Sequence, residues 1–162
     1  MIFGTVGTHD ARMDRLVRTL DGWAAEHSEE RVVIQAGAAA DDVRNATAVA
    51  FTSDEQIRSW LEEATVVVTH GGPSVLLRLI DQGKRPIVMP RERRYGEHVD
   101  DHQVDFAKFL AARHLIVLVR SPAQLRKALS HPTPVEGDAT PLPPLDLAAA
   151  VARFDQHVRD LF

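Results

Sequence analysis

Three short segments of this sequence concentrate groups suited to anions and sugar hydroxyls. The first is His70-Gly71-Gly72-Pro73-Ser74. Glycine lets a diphosphate come close to the backbone. Pro73 and Ser74 read as a helix start, which aims N–H groups and the positive helix end at one point. His70, at the end of the preceding apolar run, is placed to donate to a phosphate oxygen. As a motif alone this is weak: a tight turn whose histidine satisfies backbone groups explains it equally well. The second segment, Gly4-Thr5-Val6-Gly7-Thr8, repeats the logic with two hydroxyls, Thr5 and Thr8, open to an anion. It is not a P-loop, because the Gly-Lys-Ser/Thr ending is missing. The third, Gly96 to Gln103, packs Glu97, His98, Asp100, Asp101, His102 and Gln103 into eight residues. Sugar hydroxyls need paired donors and acceptors, and carboxylate, amide and imidazole groups supply them.

Two further patterns carry simpler readings. His98 and His102 stand four apart, which is metal-ligand geometry on one helix face. The pattern lacks the glutamate of His-Glu-x-x-His, and sugar hydroxyls are the better match. Arg91, Arg93 and Arg94 form a basic cluster that reads as a solvated loop. Its alternative is contact with acidic lipid head groups or a lipid diphosphate.

These segments need elements to hold them. Ile2-Phe3, Arg31 to Ala36, Ala48 to Phe51, Val66 to Thr69, Pro86 to Met89 and Leu115 to Val119 read as strands. Between them, apolar residues recur at helical period: Leu16 to Ala24, Ile57 to Ala64, Leu76 to Ile80, Val104 to Leu110 and Leu125 to Leu129. Ser53 and Ser121 fit N-caps. Only a short polar link joins Arg31–Ala36 to Ala48–Phe51, so a crossover helix is not expected there. The alternation predicts an α/β fold: a Rossmann-like open parallel sheet with helices on both faces. Ligands of such sheets bind beyond the carboxyl ends of the strands, where all three segments fall.

The expected organisation is a domain over 1–130, a proline-rich linker over 131–145 and an amphipathic helix over 146–162. That last helix packs either on the domain or on a partner. The chain has 162 residues, 44% of them hydrophobic and 26% charged, enough apolar material for a core. Its net charge of −4 argues against non-specific nucleic-acid binding. The absence of cysteine excludes disulfides, zinc-thiolate sites and thiol nucleophiles. The opening Met1-Ile2-Phe3-Gly4 reads as a strand and not as a signal peptide. No apolar run approaches the ~20 residues of a membrane span. The expectation is a cytoplasmic chain, at most peripheral at the inner membrane face through a partner.

With these residues in view, the sequence resembles the C-terminal, donor-binding domain of family 28 glycosyltransferases, especially its small single-domain members. Those include the catalytic subunit of a two-chain N-acetylglucosaminyltransferase of lipid-linked oligosaccharide synthesis and bacterial chains of exopolysaccharide assembly. The likeness runs from about Met1 to Leu129. It is carried by Gly4 to Thr8, Thr69-His70-Gly71-Gly72-Pro73, Gly83 to Pro90 and Gly96 to Gln103. It implies one half of a GT-B fold binding a UDP-sugar, with no metal and no cofactor. Thr5, Gly7, Thr8, His70, Gly71, Gly72 and Ser74 would then hold the donor diphosphate. Glu97, Asp101, His102 and Gln103 would hold the donor sugar. The acceptor would sit on a separate membrane-associated subunit, which would also supply the general base. The implied reaction is inverting transfer to a lipid-linked or other hydroxyl acceptor.

One residue departs from the family pattern. The helix after the glycine loop carries an acidic residue toward the ribose in the family, and Arg78 stands there here. Asp81 lies ~5 Å further along the helix axis, a poor substitute. The resemblance therefore leaves two readings open: a glycosyltransferase subunit, or a non-catalytic nucleotide-sugar-binding module that has lost ribose recognition.

Overall fold

A computed structural model describes residues 1–132 of the chain. The expected linker from 133 and the expected final helix lie outside the described residues. Six strands form one all-parallel sheet: β1 (Ile2–Thr5), β2 (Val32–Gln35), β3 (Thr47–Val49), β4 (Val66–Thr69), β5 (Ile87–Val88) and β6 (Val117–Leu118). Five helices accompany them: α1 (Asp14–Glu26), α2 (Asp54–Glu63), α3 (Pro73–Asp81), α4 (His102–Ala111) and α5 (Pro122–Ser130). The strand order is β3-β2-β1-β4-β5-β6. The chain therefore reverses its direction of sheet growth between β1 and β4, and the loops leaving those two strands diverge to open a crevice.

Residue alternation sorts the two faces. Ile2, Val32, Ile34, Val68, Ile87 and Met89 share one buried cluster with Leu16, Leu20 and Trp23 of α1 and Leu125 and Leu129 of α5. Phe3, Val33 and Val67 point the other way, onto Trp60 and Leu61 of α2 and Leu79 of α3. Val88 joins them on that side, with Leu76 of α3 and Ala107 and Leu110 of α4. Helices cover both faces, so the strands read as continuous apolar runs and not as apolar–polar alternation. The link between β2 and β3 holds only a six-residue 3-10 turn, Gly37–Asp42, in place of a crossover α-helix. Ser53 and Ser121 cap α2 and α5 by accepting from the amides of Gln56 and Gln124.

Candidate functional site

The crevice between the ends of β1 and β4 opens into a cavity of about 380 Å³. Gly7 and Thr8 line it from the loop after β1, His70 and Gly72 from the loop after β4, and Ser74 from the first turn of α3. His70 is its pivot. The ring is buried, 7% exposed, between the backbones of the two loops. A Cβ on Gly7 would stand 2.6 Å from the ring, and one on Gly72 would stand 2.6 Å from Nε2. Gly7 also has φ +72, a conformation that disfavours any side chain. Glycine is thus required at Gly7 by both backbone and space, and at Gly72 by space. The Nδ1 side of His70 meets the Thr5 carbonyl and the Thr69 hydroxyl, each at 3.4 Å. Burial, with the nearby charge of Arg91, lowers the His70 pKa from 6.5 to about 4, so the imidazole is neutral at neutral pH.

Gly72 caps α3, and Pro73 occupies the first turn, so free amides of this nine-residue helix face the cavity mouth. Thr8 and Ser74 are exposed there. Thr5 differs from the sequence expectation. Its hydroxyl donates to Gln35 Oε1 at 2.6 Å and accepts from the Gly7 amide at 3.1 Å. It lines the cavity at 3% exposure, and with its proton committed to Gln35 the hydroxyl shapes the loop. Gln35 completes the arrangement by donating to the Gly7 and Ala50 carbonyls, both at 2.9 Å. One side chain thereby ties together the ends of β1, β2 and β3. Sequence reasoning missed Gln35, since a glutamine closing an apolar run carries no local signal. The far end of the cavity is lined by Phe51, Thr52, Asp54, Val75 and Arg78. Phe51, 57% exposed, and Asp54 were also missed. Arg78, which shares this lining with Asp54, is exposed and makes no hydrogen bond or ion pair among the described residues.

The segment from Arg91 to Gln103 is built on buried charge. Arg91 was expected in a solvated loop, yet it is fully buried. Its guanidinium donates to the carbonyls of Ala11 at 2.7 Å, Glu97 at 3.0 Å and Val6 at 2.8 Å. It therefore joins the loop after β1 to the loop after β5. Burial pulls its pKa below the usual arginine range, and the Glu97 carboxylate opposes that. Glu97 was expected at the donor sugar. Its carboxylate instead turns inward, 3% exposed, to a two-pronged pair with Arg15 at 2.8 and 2.7 Å, and accepts from the Glu92 amide at 3.0 Å. Burial alone would raise the Glu92 pKa; the hydrogen bond from Arg120 and the charges of Arg120, Arg15 and Arg94 outweigh it and hold the carboxyl below its usual range. Arg15 and Arg120 lie far away in sequence, so no local pattern revealed them.

The other three expected sugar-binding residues stand at the start of α4, outside the lining of the cavity. Asp101 Oδ1 accepts from the Arg93 amide at 2.8 Å. Gln103 Oε1 accepts from the Arg91 amide at 3.2 Å, which leaves its NH₂ group as donor. His102 is exposed and bonds through Nδ1 to Asp100. His98 precedes the helix, so the two histidines do not share a helix face as their spacing suggested; α4 begins only at His102. Their rings still meet, 4.7 Å between centroids, and His98 lies 5.0 Å from the ring of His9, the neighbour of Thr8. The His9–His98–His102 row therefore runs from the loop after β1 to the start of α4.

Comparison with known proteins bears on the family and the fold. The model of the glycosyltransferase family 28 C-terminal domain matches residues 1–135. No curated protein matches the sequence significantly. Among solved structures, the glycotransferase of kitacinnamycin superposes with a TM-score of 0.57 at 19% identity, covering 80% of this chain and 34% of its own. MurG of Acinetobacter baumannii gives a TM-score of 0.57 at 20% identity, covering 79% and 40%. Both likenesses concern the fold. This chain spans well under half the length of either structure.

Proposed function

Because the chain belongs to the glycosyltransferase family 28 C-terminal domain family, we propose that it binds the nucleotide-sugar donor of an inverting glycosyltransferase. In this reading the donor is a UDP-sugar, and the acceptor is a lipid-linked or other hydroxyl compound. A separate membrane-associated subunit holds that acceptor and supplies the general base. The observation that carries the reading is the glycine-flanked His70 at the start of α3, at the point where the sheet order reverses. Preorganised amides there, with a His70 N–H donated to a phosphate oxygen, stabilise the negative charge that grows on a departing diphosphate. The row of histidines and Gln103 lies on the side where the sugar projects, and the Phe51 end receives the nucleoside. No helix among the described residues is long and apolar enough to cross a membrane, which fits membrane contact through a partner.

Titration calorimetry with UDP and several UDP-sugars tests this. The wild-type chain is expected to bind saturably, and His70→Ala to bind about 10–100-fold more weakly, as loss of one hydrogen bond to a charged group costs about 1.5–3 kcal/mol. Unchanged affinity in that variant would remove His70 from the phosphate site. Arg78 motivates a second reading, a non-catalytic module, because its unpaired guanidinium lines the nucleoside end. Arg78→Glu separates the two. If this variant binds UDP and the wild type does not, the second reading holds. If both bind, the donor reading holds, with Arg78→Glu expected to bind about tenfold more tightly through one charged hydrogen bond to the ribose.

A further inference from the structure

The row of histidines holds a feature that donor binding does not account for. Asp100 Oδ1 faces two imidazoles at once: His98 Nδ1 at 3.2 Å, and His102 Nδ1 in a direct hydrogen bond. The candidate donor atoms of His98, Asp100 and His102 all lie within 4.8 Å of one another. Among the described residues no lysine or arginine pairs with Asp100; besides the two rings, its Oδ1 accepts the His102 amide at 3.2 Å, and its own amide points at His98 Nδ1 at 3.4 Å. Two imidazole nitrogens and a carboxylate oxygen thus stand close enough to converge on one ion once the ring protons are lost.

We propose that His98, Asp100 and His102 bind a divalent transition-metal ion. Two imidazole nitrogens and one carboxylate oxygen form a donor set suited to zinc and to the neighbouring imidazole-loving metals, with coordination positions left open. Metal–ligand bonds of ~2.0–2.2 Å require ligand atoms roughly 3–3.5 Å apart. The Asp100–His98 distance already falls in that range. His102 reaches it by rotating an exposed ring, about half of whose surface is free. The nitrogens come from either side of the start of α4, which fixes the His102 backbone while the loop carries His98 and Asp100. His9 packs on His98, 5.0 Å between ring centroids, and lies outside the group of three whose donor atoms stand close together. The site stands beside the loop after β1 through the contact of His98 with His9. The ion binding itself does not depend on the donor reading.

The test uses the full chain with any polyhistidine tag removed and metal stripped. Zinc is titrated calorimetrically, and cobalt(II) is followed by its visible absorption. One equivalent per chain is expected for each. Asp100→Asn and the His98→Gln/His102→Gln double variant are expected to weaken binding by about 10–100-fold or more. His27→Gln and His9→Gln are expected to leave it unchanged. All the altered groups lie on loops or at a helix start, and melting curves without metal verify that the variants fold. Absence of saturable binding of both ions, or binding that persists unchanged in both variants, overturns the proposal.

Discussion

Arg91→Met is expected to destabilise the chain by about 3–5 kcal/mol. The side chain is fully buried and donates to three carbonyls from two separate loops. Methionine fills much the same volume but donates nothing. The carbonyls of Val6, Ala11 and Glu97 would then lose their partners, each at a cost of about 1–3 kcal/mol before water or local movement recovers part of it. Chemical denaturation of the two proteins at neutral pH measures the difference. A loss below about 1 kcal/mol would mean that the two loops hold their positions without the guanidinium. Arg91→Lys is expected to fall between the two, because an ammonium keeps the charge but not the fork that spans both loops. The variant has a second signature. Arg91 helps to hold the His70 pKa down, so methionine there raises that pKa.

Acidification is expected to cost the fold about 3 kcal/mol through His70 alone. The folded pKa is about 4 against 6.5 for a free histidine, and each pKa unit is worth about 1.4 kcal/mol. Between these two values the unfolded chain binds a proton that the folded chain refuses. Stability therefore rises with pH across that window. The contribution is complete above 6.5, begins to fall as pH drops through that value, and is lost by about 4. Carboxylates such as Glu92 and Asp21, whose pKa values are lowered in the fold, add losses at the acidic end. The effect of His70 is isolated by following the stability difference between wild type and His70→Gln from neutral pH to about pH 4. A difference that stays flat would show that His70 is protonated in the fold at little cost. Bound diphosphate favours the protonated ring, so the loss is expected to shrink in the presence of nucleotide.

The sequence by itself determined the layers. The runs at Ile2-Phe3, Val32 to Ile34 and Val66 to Val68 are apolar without a break, and only burial on both faces accommodates them. Helical stripes between them then leave an open parallel sheet as the arrangement that covers every strand. The glycine loop at His70 was legible for the same local reason: its geometry is set by residues adjacent in the chain. The missing crossover helix between β2 and β3 followed from the shortness of the link.

Tertiary structure alone decided the charges and the occupants of the crevice. Glu97 was expected at the donor sugar and Arg91 in a solvated loop because their partners, Arg15 and the carbonyls of Val6 and Ala11, are about eighty residues away. A charged residue is buried only when its counter-charges and acceptors are assembled around it, and no local spacing encodes that assembly. Thr5 follows the same rule: its hydroxyl is spent on Gln35, thirty residues later in the chain. Gln35, Phe51 and Asp54 came to the cavity only when parallel pairing set the ends of β1, β2 and β3 side by side. The spacing of His98 and His102 suggested a shared helix face; the fold instead starts α4 at His102 and brings Asp100 between the two rings. Residues neighbouring in the chain report local geometry, whereas the chemistry of a crevice depends on which distant strand ends the sheet makes adjacent.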